Sequence, residues 1–296
     1  MSIPTLTNSD VSTTQNRTLW QDAKRSFLKN RLATAGLIVV ALFIFMAVFA
    51  DVMAPTSYRQ SDLNSNLRFP SFAHPFGTDP IGRELLSLII YGARTSLLVG
   101  FSVQIIAFGI GLPLGALAGL RGGWVDFAIS RLLEVMTAFP GFLFAIFLMS
   151  ILGTGIPNVI LAIGATSWIE VCRLTRGQFL ALREREFVTA ARSYGADDWR
   201  VIIRHLLPHA LPPLIIMLAL GIPNAIFAEA GLSFLGVGIN DPIPSWGKMV
   251  SDSLGYIRVY WYMGLFPTLT IALAMLSFNF LGDGLRDALD PTMYNQ

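Results

Sequence analysis

Five stretches of this chain, residues 32–50, 95–120, 135–169, 206–228 and 259–282, contain no Asp, Glu, Lys or Arg. A helix needs about 20 mostly apolar residues to cross a bilayer, and each stretch is close to that length or longer. Strands of a soluble core run only about 4–8 residues. A membrane barrel alternates apolar with polar positions instead of forming solid apolar blocks. The chain therefore reads as an all-α integral membrane protein. Composition agrees: of 296 residues, 53% are hydrophobic and 14% charged, and the mean hydropathy is +0.58. Soluble and disordered chains carry far more polar surface. A net charge of +2 gives no nucleic-acid footprint. The one cysteine, Cys172, excludes a disulfide framework and any multi-cysteine zinc site.

The stretch 135–169 is too long for one crossing at ~1.5 Å rise per residue. Gly153-Thr154-Gly155-Ile156-Pro157 breaks it with a turn signal. Six spans follow, at about 32–53, 95–120, 128–152, 157–180, 210–234 and 259–281. The first 31 residues are polar, which places the first apolar run too late for a cleavable secretory signal. Placing the N-terminus in the cytoplasm puts 15 Lys and Arg residues inside and 6 outside, so both termini are expected to be cytoplasmic.

Several residues within the spans stand out. Ala107, Gly111, Gly115 and Gly119 recur every fourth residue in the second span, a pattern that lets helix backbones approach closely. Arg131 with Glu134, and Glu170 with Arg173, are spaced to neutralise each other on one helix face. Glu229, near the outer end of the fifth span, is a candidate lining residue of an outer vestibule. Pro113, Pro140 and Pro223 interrupt spans and read as kinks. Outside the spans, Asp79 and Arg83 lie one helical turn apart, and residues 84–91 read as a helix lying on or entering the membrane. His74, His205 and His209 are too scattered for a metal site.

The inner loop 181–209 is the most informative polar segment. Nine of the 22 residues from 183 to 204 are charged, so it lies in water. Residues 187–194 suit a short helix, and Gly195 tolerates the left-handed backbone that helix ends often need. Asp197 or Asp198 suits the cap of a second helix over 199–207, which Pro208 is expected to limit. The expectation is a helix, a glycine turn and a second helix, either a plain connector or a docking element for a soluble partner.

This loop resembles the cytoplasmic motif of permease subunits of bacterial ABC importers: Glu-Ala-Ala, three residues, Gly, nine residues, Ile, one residue, Leu-Pro. Here Thr189-Ala190-Ala191, Gly195 and Leu207-Pro208 keep the spacing, while Thr189 replaces Glu and His205 replaces Ile. Phe76-Gly77-Thr78-Asp79-Pro80, Gly92-Ala93-Arg94-Thr95-Ser96, Glu229-Ala230-Gly231-Leu232-Ser233-Phe234-Leu235-Gly236, Pro244-Ser245-Trp246-Gly247 and the end through Asp290-Pro291 narrow the likeness to the peptide/nickel class, and the first of these to its "C"-type subunit.

That resemblance implies a type I importer permease fold. Residues 1–31 would be a cytoplasmic tail, 32–94 the first span with a long periplasmic loop, 95–282 the transmembrane domain with a coupling loop at 181–209, and 283–296 a second cytoplasmic tail. It also implies a multi-pass place in the bacterial inner membrane and a complex. A second homologous permease would share the pathway, two ATPase subunits would carry ATP and Mg, and a periplasmic or lipid-anchored solute-binding protein would deliver peptide. Nickel chelates and glutathione are the other cargoes of the class.

Thr189, Ala190, Ala191, Tyr194, Gly195, Leu207 and Pro208 are the residues expected at the ATPase. No cofactor is expected on this chain, nor catalysis by it. A phosphate-cradling loop needs Gly, four residues, Gly-Lys-Ser/Thr. The only Gly-Lys pair, Gly247-Lys248, is followed by Met249 and has Pro242 where the first Gly belongs. A secondary transporter or channel, an intramembrane enzyme and an exporter subunit are the rival classes.

Overall fold

A computed structural model describes residues 25–289, and within them the regular structure is helical. The assignments for residues 1–24 and 290–296, including Arg17, Lys24 and Asp290-Pro291, lie outside the described residues. The first span is α1, Arg31–Val48, continued by a short turn, Ala50–Met53. Its start is set by Asn30, whose side chain accepts from the Leu32 and Ala33 amides at 3.1 and 3.2 Å.

A long outer loop leads into α2, Leu85–Arg121, a single helix of 37 residues. The short helix expected at 84–91 and the second span are thus one element. Arg94, which ends the charge-free run in sequence, does not end the helix. Its guanidinium donates to the Ala47 carbonyl at 2.8 Å and pairs with Asp51 at 2.9 Å, so the end of the first span neutralises it. Pro113 is likewise carried within the helix.

Where the third span is expected, the helix is broken. Helices α3, Gly123–Thr137, and α4, Gly141–Leu152, meet at a bend of 78°. Pro140 has no amide to donate and disfavours helical geometry at Phe139, so the chain turns there. Gly155, at φ 129, opens α5, Ile156–Arg183. After the inner loop with its short helix α6, Glu186–Ser193, come α7, Leu207–Phe234, the outer helix α8, Trp246–Ser253, and α9, Tyr262–Leu289.

Among the described residues, four helical stretches are long and apolar enough to cross a membrane: Arg31–Val48, Leu85–Arg121, Asp198–Phe234 and Tyr262–Leu289. The bent α3–α4 pair has the length and composition of a fifth if it is counted as one span. At 28 residues α5 has the length, but Asn158, Glu170, Arg173 and Arg176 make it more polar than the others.

Helix α2 packs along α5; α1 packs on α9 and α2; and α7 packs on α9, α2 and α5. The glycine stripe of α2 makes the first contact possible. A Cβ on Gly111 would lie 2.5 Å from the Trp168 carbonyl oxygen, one on Gly115 2.5 Å from that of Cys172, and one on Gly119 2.5 Å from the Phe179 Cβ. Large apolar side chains such as Ile38, Leu42 and Phe45 of α1 or Leu269, Leu273 and Leu276 of α9 point outward. Rows of this kind suit lipid rather than water.

The outer loops are stitched to the bundle. Trp246 is fully buried, donates from its indole to the Ile89 carbonyl at 3.0 Å, and packs against Phe43 with ring centroids 5.2 Å apart. In the first loop, Asp79 accepts from the Ile81 and Arg83 amides and pairs with the Arg83 guanidinium at 2.6 Å. The buried Tyr262 hydroxyl donates to the Thr78 carbonyl at 3.0 Å, fastening that loop to α9.

Candidate functional site

The inner loop forms an elbow. Helix α6 ends at Ser193, and Gly195, at φ +80, turns the chain. Asp197 then caps the next turn by accepting from the Arg200 amide at 3.1 Å. Contrary to expectation, no separate helix stops at Pro208. Asp198–Arg200 runs through a π-helical turn, Val201–Leu206, into α7 as one continuous stretch. The Leu207 amide donates five residues back, to the Ile202 carbonyl. The ladder therefore changes register just where Pro208 has no N–H to offer, and the proline sits at the junction without breaking the helix.

One face of the elbow is anchored. Val188, Val201 and Leu206 are buried with Leu120 and Phe179, joining the elbow to the inner ends of α2 and α5. Asp198 accepts from Arg121 of α2 at 3.2 Å and from Arg192 of α6 at 3.5 Å. Arg183 donates to the Gly119 carbonyl at 3.3 Å, and Phe187 stacks on His209 with centroids 4.6 Å apart.

The other face is bare. Thr189, Ala190 and Gly195 are exposed, Ala191 is half-buried, and Tyr194 is 91% exposed. Leu207 is half-buried and Pro208 exposed, both at the foot of α7. Sequence reasoning passed over Trp199, 69% exposed, and Ile203, 47% exposed. Their spacing of four residues on a charged segment was the available signal, since a helix brings such positions to one side.

Glu229 is a correction. It does not line a vestibule but is fully buried. Its carboxylate accepts from Ser245 at 2.7 Å and Ser233 at 2.8 Å, with Ser96 at 3.5 Å. Ser96 in turn accepts from the Trp246 amide at 3.3 Å, and Ser233 from the Ile239 amide at 3.3 Å. The residue joins α2, α7 and the outer loop.

A cleft of about 900 Å³ opens between the α3–α4 bend, α5 and α7. Met136, Phe139, Phe142 and Met217 give it apolar walls, and Gln104, Ser167, Glu170, Arg173, Asn224 and Arg286 give it polar ones. The two expected ion pairs divide here. Arg131 and Glu134 meet at 2.5 Å, but Glu170 and Arg173 do not pair and both face the cleft. Among the described residues no three His, Cys, Asp or Glu side chains come together as a metal site.

Residues 111–294 match the family model of the binding-protein-dependent transport system inner membrane component. Residues 18–75 match the N-terminal TM domain of oligopeptide transport permease C. The chain is 43% identical over 274 residues to the dipeptide transport system permease protein DppC of Alkalihalophilus pseudofirmus, covering 93% of this chain and 90% of that protein. It is 39% identical over 275 residues to the oligopeptide transport system permease protein OppC of Bacillus subtilis, covering 93% and 90%. The glutathione transport system permease protein GsiD of Pectobacterium atrosepticum is 38% identical over 278 residues, covering 94% and 92%. An inward-facing structure of the MetNI methionine ABC transporter superposes with a TM-score of 0.57 at 21% identity, covering 69% of this chain and 96% of that one, which shows a shared fold. The elbow, the cleft and the buried Glu229 network thus fall largely within the matched segment, and the chain belongs to the family of binding-protein-dependent transport system inner membrane components.

Proposed function

We propose that this chain is one of two permease subunits of an ATP-driven importer of short peptides. The observation that carries the reading is the elbow at residues 186–206. It is bare on one face, where Tyr194 and Trp199 stand in solvent, and fastened on the other to the inner ends of α2, α5 and α7. A partner that grips Ala190, Ala191, Tyr194 and Gly195 thereby holds three spans at once. The chain has no phosphate-cradling loop, so ATP and Mg belong to two partner ATPase subunits. A solute-binding protein delivers the peptide from outside. The peptide assignment follows the dipeptide and oligopeptide permeases that the chain resembles over most of its length.

In this reading α3 and α4 form one bent crossing and α5 another, giving six with both termini in the cytoplasm. The polarity of α5 suits this arrangement, because Glu170 and Arg173 face the cleft rather than lipid. The surplus of Lys and Arg on the inner side supports the orientation. ATP closing the ATPase pair shifts the permease pair between inward-open and outward-open states through its different affinity for the two.

The test is uptake of a labelled dipeptide into vesicles holding the complex with its co-purified partners. ATP alone, with no ion gradient, is expected to drive uptake. Uptake driven by an ion gradient without ATP, or protease mapping that places the elbow on the outer side, overturns the reading.

A further inference from the structure

We propose that Glu170 and Arg173 of α5, with Arg286 of α9, are specificity-determining contacts that hold the charged termini of a peptide crossing the cleft. This rests on the peptide reading above and deepens it.

Charges in apolar helices are expensive unless they are paired or face water or protein. Several others in this bundle are answered: Arg94 pairs with Asp51, Arg131 with Glu134 and Arg176 with Asp126, and Glu229 is hydrogen-bonded by serines. The side chains of Glu170, Arg173 and Arg286 make no ion pair or hydrogen bond among the described residues, and all three line the same cleft. The three-residue spacing keeps Glu170 and Arg173 on one side of α5, so the cleft presents a carboxylate and guanidinium groups together.

That set complements a zwitterion. A guanidinium holds a carboxylate through two parallel N–H donors, and a carboxylate accepts from an ammonium. Both ends of a free peptide would be served, and a peptide with a blocked end would leave one group unanswered. The volume, about 900 Å³, lies at the upper end of the usual range for small-ligand sites. The remaining lining suits the peptide body. Gln104 is only 5% exposed, its side chain makes no hydrogen bond among the described residues, and it borders the cleft beside Gly221, whose missing side chain leaves it room. Its amide can donate to and accept from a peptide group. Asn224 offers a second amide across the same space.

The test compares three forms of one neutral dipeptide in vesicles holding the complete complex: free at both ends, C-amidated, and N-acetylated. Each uptake rate is normalised to the measured occupancy of the binding protein by that form. Arg173→Gln is expected to cut the preference for the free form over the amidated form about tenfold, as loss of a charge-assisted contact implies, and Arg173→Lys to retain part of it. Glu170→Gln is expected to cut the preference over the acetylated form instead. Preferences that stay at the wild-type ratio, even with slower uptake of every form, overturn the proposal and assign the two side chains to the contact with the second permease. Both preferences collapsing in both variants also overturns it, because the termini are then not held separately. If the wild-type complex imports no peptide form at all, the peptide reading itself falls, and the cleft assignment falls with it.

Discussion

Arg121, the last residue of α2, donates to Asp198 of the elbow at 3.2 Å across 77 positions of sequence. The same carboxylate accepts from Arg192 at 3.5 Å, so one side chain ties both limbs of the elbow to the end of the longest helix. Arg121 and Asp198 are 55% and 43% exposed, and exposed pairs of this kind contribute at most about 1 kcal/mol. Under the proposed function their importance is in transmission. Asp198→Asn is expected to leave the thermal midpoint of the purified complex nearly unchanged while raising the ATP hydrolysed per peptide imported. Measuring hydrolysis and uptake in the same vesicles checks this, and an unchanged ratio counts against the clamp.

Gly195 separates backbone from contact. A Cβ there meets nothing within 4 Å, but φ +80 is a conformation that branched residues resist. Gly195→Val carries a local cost of about 1–2 kcal/mol and re-aims α6. The expected outcome is normal membrane abundance with loss of ATP-driven uptake. Gly195→Asn, which tolerates the left-handed backbone, is expected to keep uptake. Quantitative blotting beside transport assays resolves the two.

Glu229 is expected to act as a structural tie. Glu229→Gln keeps hydrogen-bonding capacity toward Ser96, Ser233 and Ser245 and is expected to retain uptake. Glu229→Leu leaves buried hydroxyls without their acceptor, at about 1–3 kcal/mol for each group stranded. Its midpoint in detergent is expected to fall by several degrees. Equal midpoints for the two variants would show that the network adds nothing.

The glycine stripe predicts a pair of opposite outcomes on one helix. Gly115→Ala places a Cβ 2.5 Å from the Cys172 carbonyl oxygen, with backbone that has no slack, and is expected to destabilise by about 1–3 kcal/mol. Gly109→Ala, where a Cβ meets nothing within 4 Å, is expected to be neutral or slightly stabilising. Thermal unfolding of both variants in the same detergent makes the comparison.

Much of the elbow was legible because its signals are local: charge density at 183–204, a glycine after a short helical run, and an aspartate placed to cap. The continuation through Pro208 was not, because a lone proline reads as a stop unless a π turn lets the ladder shift register before it. Arg94 read as a boundary for a similar reason. Its acceptors, Ala47 and Asp51, lie more than forty residues away.

The apolar runs, being longer than any soluble core needs, already determined a helical membrane protein, and the charges and the glycine around residue 195 marked a helix-turn-helix elbow that stands out of the apolar bundle. Both follow from solvation and backbone geometry, which act over a few neighbouring residues. Only the tertiary structure decided that Glu229 is sealed among serines while Glu170 and Arg173 stand open in a cleft. In sequence all three are charges near the ends of spans, and what separates them is which helix lies opposite.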